Sequence, residues 1–98
     1  MNLYDYSLPD SGEAFATLLS QPNVTIERIV SSRHVQPKTY MQDHDEWVVL
    51  LEGAALIRMD DKDMQLRRGD SLLIPAHTPH TVASADDGTV WLAVHIRS

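Results

Sequence analysis

The chain has 98 residues, 43% of them hydrophobic and 22% charged, with a formal net charge of −6 and no cysteine. That length sets one domain as the expectation, with a core small enough that pairing with a second copy would help. The acidic balance argues against a nucleic-acid face, which needs clustered Lys and Arg to neutralise phosphate. The lack of cysteine removes disulfides, thiolate nucleophiles and thiolate ligands. No apolar stretch approaches the roughly 20 residues that span a bilayer. Met1–Leu8 lacks the basic start and apolar run of a signal peptide, so a cytoplasmic protein is expected.

Residues 1–9 read as an irregular arm. Asp10 followed by Glu13 has the spacing of a helix start, and Ala14, Phe15, Leu18 and Leu19 recur at helical spacing. One short helix is therefore expected over Ser11–Ser20, stopped by Pro22. Arm and helix together occupy 1–22, ahead of a β unit over 23–98.

From Val24 the period changes to two. Val24, Ile26 and Arg28 share one strand face; Thr25, Glu27 and Ile29 share the other. Trp47–Leu51 is an unbroken apolar run, which predicts a strand buried on both sides. Gly53 interrupts it and Ala55–Met59 resumes. Asp60-Asp61-Lys62-Asp63 forms a charged hairpin tip, followed by a return strand over Met64–Arg67. Gly69-Asp70 turns the chain into Ser71–Ile74, and the last strands are His80–Ala83 and Val90–Ile96. Short strands at this spacing predict an all-β sandwich or barrel.

Two segments stand out. Glu46 is followed by Gly53, and Gly69 is followed by Pro75, Pro79 and His80. The pair resembles the two motifs of the cupin superfamily, over about residues 40–95. Tyr40 and Gln42 stand where that family carries the two histidines of its first motif; His77 replaces a Gly and Ser84 an Asn of the second. The resemblance implies a small double-stranded β-helix, a jelly-roll-like barrel, here with the short N-terminal helix in front. It also implies that Glu46 and His80 face the interior as ligands of one divalent metal ion, with Zn, Fe, Ni and Mn all suited to carboxylate and imidazole donors.

The residues themselves add candidates. Gln42 lies four residues before Glu46, on the same face of a regular strand, and offers an amide oxygen. His44 has the same parity, but its polar surroundings also read as a rim. Trp91, Ala93 and His95 share one face of the last strand. A His ending an apolar strand is exposed there, hydrogen-bonded in the core, or part of a site. The expected metal set is thus Gln42, Glu46, His80 and His95, with Tyr40, His44 and Trp91 around a small-molecule pocket. Against it stand Glu46 as a solvated strand start and His80 as a turn-capping residue.

Three functions follow from different classes. One is a metal-dependent enzyme acting on a small molecule. Another is a binding module without turnover. The last is a metal-free barrel in which Glu46 and His80 pair by hydrogen bonding, serving as sensor or accessory subunit. A homodimer through the N-terminal strand or a sheet face is expected in each.

Overall fold

The computed structural model describes residues 1–98 and contains strands, turns and loops but no helix. In chain order the strands are β1 (Glu13–Gln21), β2 (Val24–Ser31), β3 (Thr39–Tyr40), β4 (Asp45–Glu52), β5 (Ala54–Met59), β6 (Lys62–Arg67), β7 (Ser71–Ile74), β8 (His80–Ala85) and β9 (Thr89–Ile96). All pairings are antiparallel. They form a five-stranded sheet in the order β1-β2-β9-β4-β7 and a four-stranded sheet in the order β3-β8-β5-β6.

The helix expected over Ser11–Ser20 is corrected: these residues lead into and form β1, which pairs with β2 along its length and turns at Pro22-Asn23. A β-bulge between Thr17 and Leu19 explains the misleading pattern. One extra residue shifts the side-chain alternation, so that Phe15 and Leu19 fall on opposite faces while keeping a helical spacing in sequence. Pairing with a long partner strand then outweighs a weak local helix preference.

Trp47–Leu51 is also corrected. Val48 and Leu50 are buried, but Trp47 is exposed and Val49 and Leu51 are only half-buried. Only the inner face of β4 meets the second sheet. The core is Val48 and Leu50 of β4 and Trp91 and Ala93 of β9, packed against Ala55, Ile57 and Leu66 of the other sheet.

Gly53 carries the chain from β4 in one sheet to β5 in the other, with φ of 87°. Only glycine adopts that region without strain. A Cβ there would lie 2.5 Å from Thr89 Oγ1 and 2.9 Å from Thr89 Cα, so the crossing is tight as well as left-handed.

The outer face of the five-stranded sheet is unusual for a surface. Leu19, Ile26, Val94, Trp47 and Leu73 stand opposite one another across all five strands, in an uninterrupted apolar row. The N-terminal arm covers a neighbouring part of that face, where Arg28 donates from Nη1 to the carbonyls of Leu3 and Asp5. No helix is long and apolar enough to cross a membrane.

Candidate functional site

The registers build a site between the sheets. On the five-stranded sheet Glu46 of β4 stands opposite His95 of β9. On the four-stranded sheet Tyr40 of β3 stands opposite His80 of β8. Neighbours opposite each other across a ladder share a face, so each pair projects the same way. Both pairs line one cavity of about 120 Å³. A water's share of liquid volume is about 30 Å³, so there is room for about four waters or a comparably small ligand group.

Each side chain is held by a nearby partner. Gln42 Nε2 donates to Glu46 Oε1 at 2.8 Å. His80 donates from Nδ1 to the Thr78 carbonyl at 3.0 Å, and its Nε2 has no hydrogen-bond partner within the protein. That Nε2 lies 3.9 Å from Glu46 Oε1, and the two side chains are only 9% and 10% exposed. Tyr40 stacks on the His80 ring, centroids 6.1 Å apart. Phe15 and Tyr40, 58% and 42% exposed, flank the mouth.

His95 belongs to a different chain of contacts. Its Nε2 donates to Glu27 Oε1 at 2.9 Å, and its Nδ1 meets His44 Nε2 at 2.9 Å. His44 in turn faces Asp43 at the surface. The hydrogen bond to Glu27 holds His95 above the ordinary imidazole value, against the opposing effect of burial, and the charge of Glu46 adds to it. A third run links Trp91 Nε1 to Ser31 Oγ at 3.0 Å, and Ser31 Oγ to Glu13 Oε2 at 2.5 Å. Burial raises Glu13 above the usual carboxylate value; the Ser31 hydrogen bond opposes this, and Glu27 and Glu46 reinforce it.

The structure thus gathers Gln42, Glu46, His80, His95, Tyr40 and Trp91 around one cavity. His44 does not line it; it reaches His95 from outside. Sequence reasoning missed Glu13 and Glu27, which also line the cavity. Glu27 was within reach, since its strand parity with Ile29 puts it on the inner face. Glu13 was hidden by the helix reading.

A divalent ion needs several free donors at about 2.0–2.2 Å. Here no three His, Asp or Glu side chains converge closely enough to hold one. Both ring nitrogens of His95 are engaged, and Gln42 turns its NH₂ rather than its oxygen toward Glu46. Every fully buried side-chain nitrogen and oxygen already has a partner within the protein. The donor set as arranged does not fit a resident metal.

Residues 30–95 of this chain match a known family model, the cupin domain. The chain is a cupin. No curated protein sequence matches this cupin. Among solved structures it is similar to a protein of Ralstonia eutropha JMP134 provisionally named a mannose-6-phosphate isomerase, at 35% identity and a TM-score of 0.87, covering 100% of this chain and 97% of that one. It is also similar to a conserved Streptococcus pyogenes protein of unknown function, at 20% identity and a TM-score of 0.85, covering 100% and 86% of the two chains. The cupin domain of Schizosaccharomyces pombe Cnp3 shares the fold at 10% identity and a TM-score of 0.86, covering 99% and 72%. The cupin fold therefore recurs at very low identity, and function rests on the site.

Proposed function

We propose that this cupin binds a small polar organic molecule directly, through Glu46, His80 and Gln42, without a resident metal ion. One observation carries the reading. Glu46 and His80 are nine-tenths buried, line the cavity, and keep the second carboxylate oxygen and Nε2 free of any hydrogen bond within the protein. Fixed polar atoms of largely buried side chains, left open toward a largely apolar cavity, are the equipment of a ligand site. The divalent metal that the family resemblance implies finds too few free donors in this arrangement.

The Ralstonia relative's name brings a phosphorylated sugar to mind, but no Lys or Arg lines this cavity to receive a phosphate. The outer apolar row supports a homodimer: an isologous pairing of two such rows buries Leu19, Trp47 and Leu73 against their symmetry mates. The cysteine-free composition suits a cytoplasmic setting.

Elemental analysis tests the metal-free reading. Untagged protein incubated with Fe, Ni, Mn or Zn and then desalted is expected to retain below about 0.1 equivalent, since a true site of this kind holds its ion tightly. Retention near one equivalent, lost in His80→Ala, would overturn it.

A second reading, proton transfer on the bound molecule, is favoured by the pairing of a carboxylate with an imidazole lone pair 3.9 Å apart. Its sign is solvent deuterium appearing in the ligand, abolished in His80→Gln.

A further inference from the structure

We propose that the cavity selects a small organic cation, an ammonium or amine, with Glu13, Glu27 and Glu46 around it and aromatic rings at the mouth. This rests on the metal-free binding reading above and names its ligand class.

Two carboxylates on the cavity lining keep an oxygen free to accept. Glu46 has one carboxylate oxygen without a partner, on a side chain 10% exposed. His80 commits its Nδ1 proton to the Thr78 carbonyl, so the neutral ring offers Nε2 as an acceptor. Glu13 receives a single hydrogen bond, at Oε2 from Ser31, and keeps its other oxygen free. Carboxylates and an unprotonated imidazole nitrogen accept but do not donate. A guest that satisfies all three must be rich in donors, as an ammonium is.

Charge points the same way. Three strands contribute a Glu to the lining, and no Lys or Arg joins them. Of the two histidines, His95 is already committed to Glu27. Glu13 therefore faces the cavity with no protein cation paired to it, and Glu46 has only the His80 ring, 3.9 Å away. A buried carboxylate without a cation is costly, and burial does push Glu13 upward. A cationic guest supplies the missing charge. The same lining repels phosphate and carboxylate ligands.

The walls fit as well. Phe15, Tyr40 and Trp91 place three aromatic rings on the cavity lining, and ring faces attract cations within about 6 Å. Tyr40 shows this within the protein: the Lys38 ammonium lies 5.3 Å from its ring centroid.

The test uses the full chain and two indole reporters. Trp91 lines the cavity; Trp47 lies on the outer sheet face. In ¹⁵N-resolved NMR titrations, butane-1,4-diamine and tetramethylammonium should shift the Trp91 indole signal and leave Trp47 in place. Butane-1,4-diol and inorganic phosphate serve as the neutral and anionic counterparts. The diamine is expected to bind at least about tenfold tighter than the diol, and Glu46→Gln to remove about tenfold of its affinity. Glu13→Gln, which keeps an acceptor for Ser31, and Tyr40→Leu, at an exposed position, should each weaken the cations by about threefold or more. Diol or phosphate shifting Trp91 as strongly as the diamine would overturn the charge selection while leaving a binding cavity in place. Cation affinity unchanged in all three variants, or no shift with any cation, would overturn the proposal. The elemental analysis decides the underlying reading separately.

Discussion

Gly53→Ala should be the most damaging of the glycine-to-alanine substitutions in this cupin. The φ of 87° costs an alanine about 1–2 kcal/mol in left-handed strain. The new Cβ also lands 2.5 Å from Thr89 Oγ1 and 2.9 Å from Thr89 Cα. Thr89 has no room to retreat. It is fully buried, and its hydroxyl is bound to the carbonyls of Asp86, at 2.7 Å, and Ala54, at 3.1 Å. Relief must come from shifting the start of β9 away from β5, an overpacking cost of about 1–3 kcal/mol. The sum is about 2–5 kcal/mol, a large part of the roughly 5–15 kcal/mol that holds a domain together. At about 4–8 °C per kcal/mol for a domain of this size, Tm should fall by about 8 °C or more.

Gly69→Ala is the internal control. Its φ is 90°, but nothing lies within 4 Å of the added Cβ. It should therefore show the left-handed strain of about 1–2 kcal/mol and nothing else. Differential scanning calorimetry of the two variants isolates the clash as their difference. Equal losses of Tm would refute the reasoning, because they would mean that β9 yields to the methyl group at no cost.

Other outcomes follow from the site. His95 has a folded-state value raised above 6.5, chiefly by its hydrogen bond to Glu27; that stabilisation is complete below the unfolded value and is lost as pH rises through the folded one. Tm should accordingly fall as pH is raised from 6.5 upward, and Glu27→Gln should flatten that slope; parallel profiles for the two proteins would contradict it. Ser31→Ala leaves the buried Trp91 indole N–H and the Glu13 carboxylate without their shared partner. It should cost about 1–3 kcal/mol in urea unfolding, and an unchanged midpoint would count against this network. Trp47→Lys places a charge in the middle of the outer apolar row; sedimentation velocity should show a dimer for the natural chain and a monomer for the variant, and identical profiles would remove that row from the interface.

Much of this architecture was legible in the sequence because strands buried on one face alternate. The parity of Trp91, Ala93 and His95, and of Thr25, Glu27 and Ile29, placed those residues on their faces before any coordinates, and the registers agree. The Glu46–Gly53 and Gly69–Pro75–His80 spacings carried the cupin fold for a related reason: each glycine marks a left-handed turn that ends a strand. What failed was local. The bulge beside Leu18 breaks the alternation of β1 and gives a helical spacing. In Trp47–Leu51, apolar residues on the outer face suggested burial on both sides, although the second sheet covers only one.

The site was half legible. Sequence position put Gln42, Glu46, His80 and His95 near one another, and the structure gathers them on one cavity. It gave no means of knowing that His95 would commit both ring nitrogens to Glu27 and His44, or that Gln42 would donate to Glu46. Those partners come from strands distant in sequence or from a single amide orientation. They are also what separates a metal centre from a polar binding cavity built of the same residue types.

The most direct test of that distinction is anomalous diffraction from crystals grown with equimolar Zn or Ni, recorded at the absorption edge of the metal. The metal-free account predicts no anomalous peak between Glu46 and His80, with the Gln42–Glu46 hydrogen bond still in place. A fully occupied peak coordinated by His80 Nε2 and a Glu46 carboxylate oxygen would contradict it.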